Sequence, residues 1–243
     1  MPTIDDLAGQ LGSNDQAAVF RAKRTLLEQA VAAGAPGKAA ERRELAAKLA
    51  QTLTAKNGDA PKYNVKARAE LAQAIGAVAS ETEVPALKGT LNDFDARETA
   101  RFALDRMTCQ AATDALVEAA LNAVGIEFRV GAINALGRRG GSQVVDVLKT
   151  CASDGDPEIR LAAAEALANQ ADASADRLLI EAAKHAGERG QFRSAKSRVR
   201  LAAKLAAAGQ KDSARRIFHS LAQSDATPAA QKKAAGIGLA QLG

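Results

Sequence analysis

Aromatic side chains make up 3% of this 243-residue chain, with no Trp, one Tyr (Tyr63) and six Phe. That scarcity argues against functions that need aromatic platforms, such as stacking on single-stranded bases or clasping an extruded nucleotide. Cysteine is equally rare. Cys109 and Cys151 each stand without a second Cys or a His nearby, so neither a disulfide framework nor a zinc site is indicated, and two reduced thiols in a cytoplasmic protein are expected. The two histidines, His185 and His219, lie far apart and read as surface or interface residues rather than metal ligands. No apolar run is long enough to span a bilayer, and Met1-Pro-Thr-Ile-Asp-Asp is acidic where a secretory leader is basic. The expectation is therefore a cytoplasmic chain without a membrane span.

What the chain has instead is Ala and Leu. Apolar residues make up 47% of it, enough for a core, and most are strong helix formers that let helices approach closely. β-branched strand formers are sparse, so an all-α protein is expected. The clearest helix is Asp156 to Asn169, DPEIRLAAAEALAN. Asp156 can cap it, Pro157 sits where its missing N–H costs nothing, and Glu158 suits the positive helix end. Ile159, Ala163, Ala166 and Leu167 then form one apolar stripe.

Helices are predicted over about 3–11, 15–33, 37–54, 64–79, 82–92, 95–107, 110–123, 126–138, 141–152, 157–169, 173–186, 190–208, 211–222 and 228–241. In the second of these, Phe20, Leu26, Leu27 and Val31 are the apolar members. Residues 56–63, with Asn57-Gly58-Asp59 and Pro61, read as a loop.

Aligned on Arg160, basic residues recur at Arg43, Arg68, Arg97, Arg129, Arg200 and Lys232, at spacings of 25, 29, 32, 31, 40 and 32. Small or apolar residues follow at three, six and seven positions beyond each. A period of one helix pair is the mark of a solenoid, whose units bury their apolar stripes only by stacking. A basic ladder in the first turn of such helices is expected to bond acidic or carbonyl groups of adjacent units.

Three stretches carry a family likeness: Asp156-Pro-Glu-Ile-Arg160-Leu-Ala-Ala-Ala-Glu-Ala-Leu, Phe128-Arg129-Val-Gly-Ala-Ile-Asn-Ala-Leu-Gly137 and Asp95-Ala-Arg97-Glu-Thr-Ala-Arg-Phe-Ala-Leu104. They resemble HEAT repeats, in particular the short Ala-rich PBS-lyase HEAT-like subclass. The resemblance implies an α-α superhelix of about seven helix pairs, with the Arg-bearing helices lining the concave side. Residues 1–63 match loosely, as a helical cap or divergent repeats, and 64–243 as repeats continuous with it in one solenoid domain. It also implies a binding scaffold, because the fold serves protein, nucleic-acid and small-molecule recognition alike. The His-Glu dipeptides of HEAT-repeat hydroxylases are missing, since Ala186 and Ser220 follow the histidines. Chromophore-lyase chemistry is carried by the subclass name and not by any residue pattern. No catalytic residue, cofactor or metal ligand is assigned.

Gly137-Arg-Arg-Gly140-Gly141 lacks both the Lys-Ser/Thr of a phosphate loop and a preceding strand, and fits a helix C-terminus. Asp5/Asp6 and Asp154/Asp156 lie at helix starts, where capping accounts for them.

Charge is the uneven feature. Residues 1–183 hold 21 basic and 25 acidic residues, a balance of −4, whereas 184–243 hold 12 and 3, a balance of +9. Within the last quarter Arg189, Arg193, Lys196, Arg200 and Lys204 fall on one face of a single helix, with Phe192, Ala195, Val199, Ala202, Ala203 and Ala206 on its packing side. Such a row of like charges is either a site for an anionic partner, or a face covered by solvent or by another copy's acidic residues. The reading is a non-enzymatic scaffold binding a protein through its concave face, the alternative being nucleic acid or another polyanion held by the basic quarter. Oligomeric state is left open.

Overall fold

The computed structural model describes residues 2–243, and among them the chain is all-α apart from one small hairpin. The helices are α1 (Ile4–Leu11), α2 (Gln16–Ala33), α3 (Ala39–Thr54), α4 (Val65–Val78), α5 (Val84–Thr90), α6 (Arg97–Arg106) and α7 (Gln110–Asn122), then α8 (Ile126–Leu136), α9 (Ser142–Cys151), α10 (Pro157–Asn169), α11 (Ala175–Ala183), α12 (Gly187–Ala207), α13 (Lys211–Gln223) and α14 (Ala229–Leu242). Strands β1 (Lys56–Asn57) and β2 (Ala60–Pro61) pair antiparallel in the stretch expected to be a loop. The reason is local: the two-residue loop Gly58-Asp59 puts glycine first, and Gly58 takes φ 62°, the left-handed conformation this tight hairpin turn requires.

Some helix starts are fixed by capping side chains. Thr3 and Asp6 form a reciprocal capping box at α1, and the Asp156 carboxylate accepts from the backbone N–H groups of Glu158 and Ile159 at α10. The expected helix at 82–92 is split by Pro85 near its start into a 3-10 turn over Glu81–Glu83 and α5.

The chain divides into two compact units, one ending at Ala119 and one of Ala120–Gly243. In the first, α4 is the hub. It packs on α1, α2, α3 and α6, and its Leu71, Ala72 and Ile75 are fully buried. Of the four apolar residues expected to pack, Phe20, Leu26, Leu27 and Val31, only Leu26 is buried. Phe20, Leu27 and Val31 are 69%, 64% and 68% exposed, contrary to expectation, because the buried side of α2 is instead Ala22, Leu26, Ala30 and Ala33.

In the second unit the even-numbered helices α8, α10, α12 and α14 lie side by side, and α9, α11 and α13 each pack on the two that they connect. The even-numbered row is Ala-rich by necessity. A Cβ built on Gly137, which caps α8, would stand 2.8 Å from the Ala166 Cβ of α10. The same construction repeats in the first unit, where a Cβ on Gly76 of α4 would stand 2.8 Å from the Ala103 Cα of α6. Both glycines lie eight residues past their ladder Arg, and both alanines six past theirs.

Candidate interaction surface

The Arg ladder holds loops. The Arg129 side chain donates to the Ala120 carbonyl at 2.9 Å and, through Nη2, to Asp154 at 2.6 Å. Asp154 also accepts from the backbone N–H of Asp156, while Arg160 Nη1 donates to the carbonyls of Asp154 and Gly155, both at 2.8 Å. The turn leading into α10 is thereby pinned from α8 and from α10 itself. That backbone hydrogen bond, and then Arg129, hold the Asp154 carboxyl below its ordinary pKa. In the first unit Arg68 repeats the device, donating to the Tyr63 carbonyl and pairing with Asp93. Arg97 also lies over the ring of Phe94, 4.4 Å from its centroid.

Asp5 departs from the capping role. It accepts from the Tyr63 hydroxyl at 2.7 Å and stands near Lys62, so it ties α1 to the chain beyond the hairpin, and Tyr63 is the main cause lowering its pKa. The Gly137–Gly141 turn does end α8 as expected. Its carbonyls at Gly137 and Arg139 accept from the Gln170 amide, so it faces that donor with acceptors rather than with amides suited to a phosphate. His185 and His219 are both exposed.

On α12 the five cations separate by what they do. Arg193 is half-buried and forks onto Glu165 of α10, with contacts of 2.7 and 3.2 Å, and also reaches Glu158 at 2.7 Å. The Glu165 hydrogen bond is the largest influence raising its pKa. Lys204 donates to the Asn169 carbonyl at 2.8 Å, satisfying the C-terminal end of α10, where a cation is favoured. Arg200 donates to the Ser197 hydroxyl at 3.1 Å. Arg189 and Lys196 are exposed and make no hydrogen bond or ion pair to another described residue.

Two expectations about α12 fail. Phe192 is not a packing residue but 47% exposed, and Ala203 is exposed too. The buried side is Gly190, Ser194, Ala195, Ser197, Arg198, Leu201, Ala202 and Leu205. Arg198 also fits the repeat register better than Arg200: Leu201 and Leu205, at three and seven beyond it, are fully buried although Lys204 at six is exposed, whereas Ala203 and Ala207, at three and seven beyond Arg200, are both exposed. Arg198 escaped notice as one more cation in a basic stretch. Its place on the wheel, about 40° from Ser194 and about 60° from Leu201, is the available signal. It bonds Asp176 of α11 at 2.6 Å and Ser220 of α13 at 3.0 Å, while Ser194 donates to the Leu179 carbonyl of α11 at 2.9 Å.

At about 100° per residue, Lys196 stands about 160° around the helix from both Ser194 and Arg198, and Arg189, Phe192 and Arg200 fall within the same half-turn. These four side chains therefore occupy the side of α12 turned away from α11 and α13, on the even-numbered row.

The residues 113–197 that contain much of this row match a protein-family model described as HEAT repeats. That stretch is similar to HEAT repeats. The matched stretch takes in α8 to α11 and the first half of α12. No curated protein matches the sequence. Among solved structures, the CpcE–CpcF complex of phycocyanin lyase from Nostoc sp. PCC7120 is similar at 16% identity and a TM-score of 0.48, over 100% of this chain and 95% of that one. A designed armadillo repeat protein in complex with the peptide (KR)4 is similar at 17% identity and 0.40, over 100% of both chains. Human deoxyhypusine hydroxylase is similar at 18% identity and 0.37, over 98% and 95%. No helix among the described residues is long and apolar enough to cross a membrane.

Proposed function

We propose that the chain is a non-enzymatic scaffold that binds a protein partner on the even-numbered helix row of Ala120–Gly243, the side that the repeat resemblance assigns to a concave groove. One observation carries this reading. Arg189, Phe192, Lys196 and Arg200 stand opposite the residues that fasten α12 to α11 and α13, so they are presented rather than packed. Aromatic residues and Arg are enriched at protein interfaces, and this side carries Phe192 with Arg189 and Arg200. The test is quantitative co-purification after crosslinking, comparing the wild-type chain with a Lys196→Glu/Arg200→Glu variant of unchanged helical circular dichroism. A specific partner recovered by the first and at least about tenfold depleted with the second is the expected outcome. Equal recovery by both removes the row from the function.

A second reading has its own support. Arg189 and Lys196, which make no bond to the described residues, flank the exposed Phe192, so a polyanion would meet two uncommitted cations beside an aromatic face. Retention on heparin or duplex DNA, measured against salt, tests it with Arg189→Glu and Lys196→Glu. Substituting Arg193 or Lys204 would confuse the result, because both bond within the fold. Each lost phosphate contact should lower the salt slope by about 1, and an unchanged slope would dismiss the polyanion.

A further inference from the structure

Helix α2 has two apolar sides. Ala22, Leu26, Ala30 and Ala33 are buried in the first unit, while Ala17, Phe20, Arg24, Leu27 and Val31 form a second seam that is exposed throughout. Its steps of three, four, three and four are the a and d positions of a coiled coil, the pattern that keeps one seam facing a partner helix. Phe20, Leu27 and Val31 lie within about 40° of one another around the axis. Solvated helix faces, and the outer faces of capping repeats, are ordinarily polar.

The charges beside the seam select its partner. We propose that α2 pairs antiparallel with α2 of a second copy of this chain, forming a two-fold symmetric dimer. In that arrangement Phe20 packs on the partner's Val31, Arg24 faces the partner's Leu27, and Arg21 on the seam's flank meets the partner's Glu28, each contact occurring twice. Arg24 is bonded to Glu28 of its own helix at 2.8 Å, which draws its guanidinium to the edge and leaves its methylenes for the opposing leucine. Arg21 has only a 4.0 Å approach to Asp15, both side chains being exposed. Parallel pairing is disfavoured on the same evidence. It would set Arg24 against the partner's Arg24, and the Lys23 that a parallel pair would offer to the partner's Glu28 is already held by Glu70 at 2.5 Å. A single pair of crossing helices is small for an interface, so the dimer is of the weak, concentration-dependent class.

Sedimentation velocity of the full chain from low micromolar to about 1 mM tests this, with circular dichroism confirming that each variant is folded. The wild-type chain dimerises with rising concentration, and Leu27→Glu stays monomeric. Arg21→Glu alone and Glu28→Arg alone each dimerise about tenfold more weakly, because two attractions become two repulsions. An equimolar mixture of those two variants regains association. In the mixed dimer the carboxylate introduced at position 21 of one chain meets the guanidinium introduced at position 28 of the other, and the native Glu28 of the first chain meets the native Arg21 of the second. A wild-type chain that remains monomeric throughout overturns the proposal. So does self-association untouched by Leu27→Glu, or a mixture no tighter than its components, which would assign the seam to a different protein.

Discussion

Arg129 and Asp154 tie α8 to the turn before α10, and their consequences are local and pH-dependent. The Asp154 carboxyl titrates below its ordinary range in the folded chain, so its contribution to stability is fully present above the unfolded pKa and is lost as the pH falls through the folded value. Thermal unfolding should therefore show an extra loss of stability below about pH 4 that Asp154→Asn abolishes. At neutral pH Arg129→Ala should cost about 1–3 kcal/mol, measured by urea unfolding, because it strands a carboxylate that is 22% exposed. Helical spacing alone revealed that a basic residue recurs here. It did not reveal that the acceptors would be loop carbonyls and an aspartate 25 residues on, since a wheel describes one helix and not the turn beside it. Phe192 and Arg198 depart from their residue types for a related reason. Burial on α12 follows position, and a buried Arg is tolerated once Asp176 and Ser220 supply its partners.

At the scale of the element, what distinguishes these helices is how closely they approach. Gly137→Ala and Gly76→Ala should each lower stability by about 1–2 kcal/mol despite the better helix propensity of Ala, because the added methyl must push Ala166 or Ala103 and the helix that carries it. Gly9→Ala in α1 meets nothing within 4 Å and should raise stability by about 0.5–1 kcal/mol. Comparing the three by denaturant melts separates crowding from propensity, and equal signs would contradict the close-approach account. Asp156→Ala should cost about 1 kcal/mol through the lost cap of α10. Caps and helix ends were legible in advance because a cap is settled within four residues of chain. The hairpin at Lys56–Pro61 was legible only as a turn, since its pairing is too short to leave an alternating pattern.

Across the whole molecule, the excess of basic residues is modest and unevenly placed. Residues 1–119 hold 15 basic and 16 acidic residues, a balance of −1, and residues 120–243 hold 18 and 12, a balance of +6. Solubility should pass through a minimum near the sequence pI of 9.3 and rise as the pH is lowered toward 7, readable as turbidity against pH. Much of the positive charge is structural. Arg129, Arg160, Arg193, Arg198 and Lys204 each bond a carboxylate or carbonyl of another part of the fold, so the charge available to a partner is smaller than the count implies.

The sequence by itself determined the all-α class, the order and approximate extent of the helices and the repeat period, because those rest on caps, breakers and periodicity that act over a few residues or one turn. Tertiary structure alone decided which of two apolar sides of α2 is buried, which cations of α12 are spent inside the fold, and which arginine keeps its repeat register. Each of those depends on a neighbour distant in the chain: on α4 for α2, on Glu165 for Arg193, and on Asp176 and Ser220 for Arg198. A helix wheel cannot supply that neighbour, since periodicity states that a side is apolar without stating what will cover it.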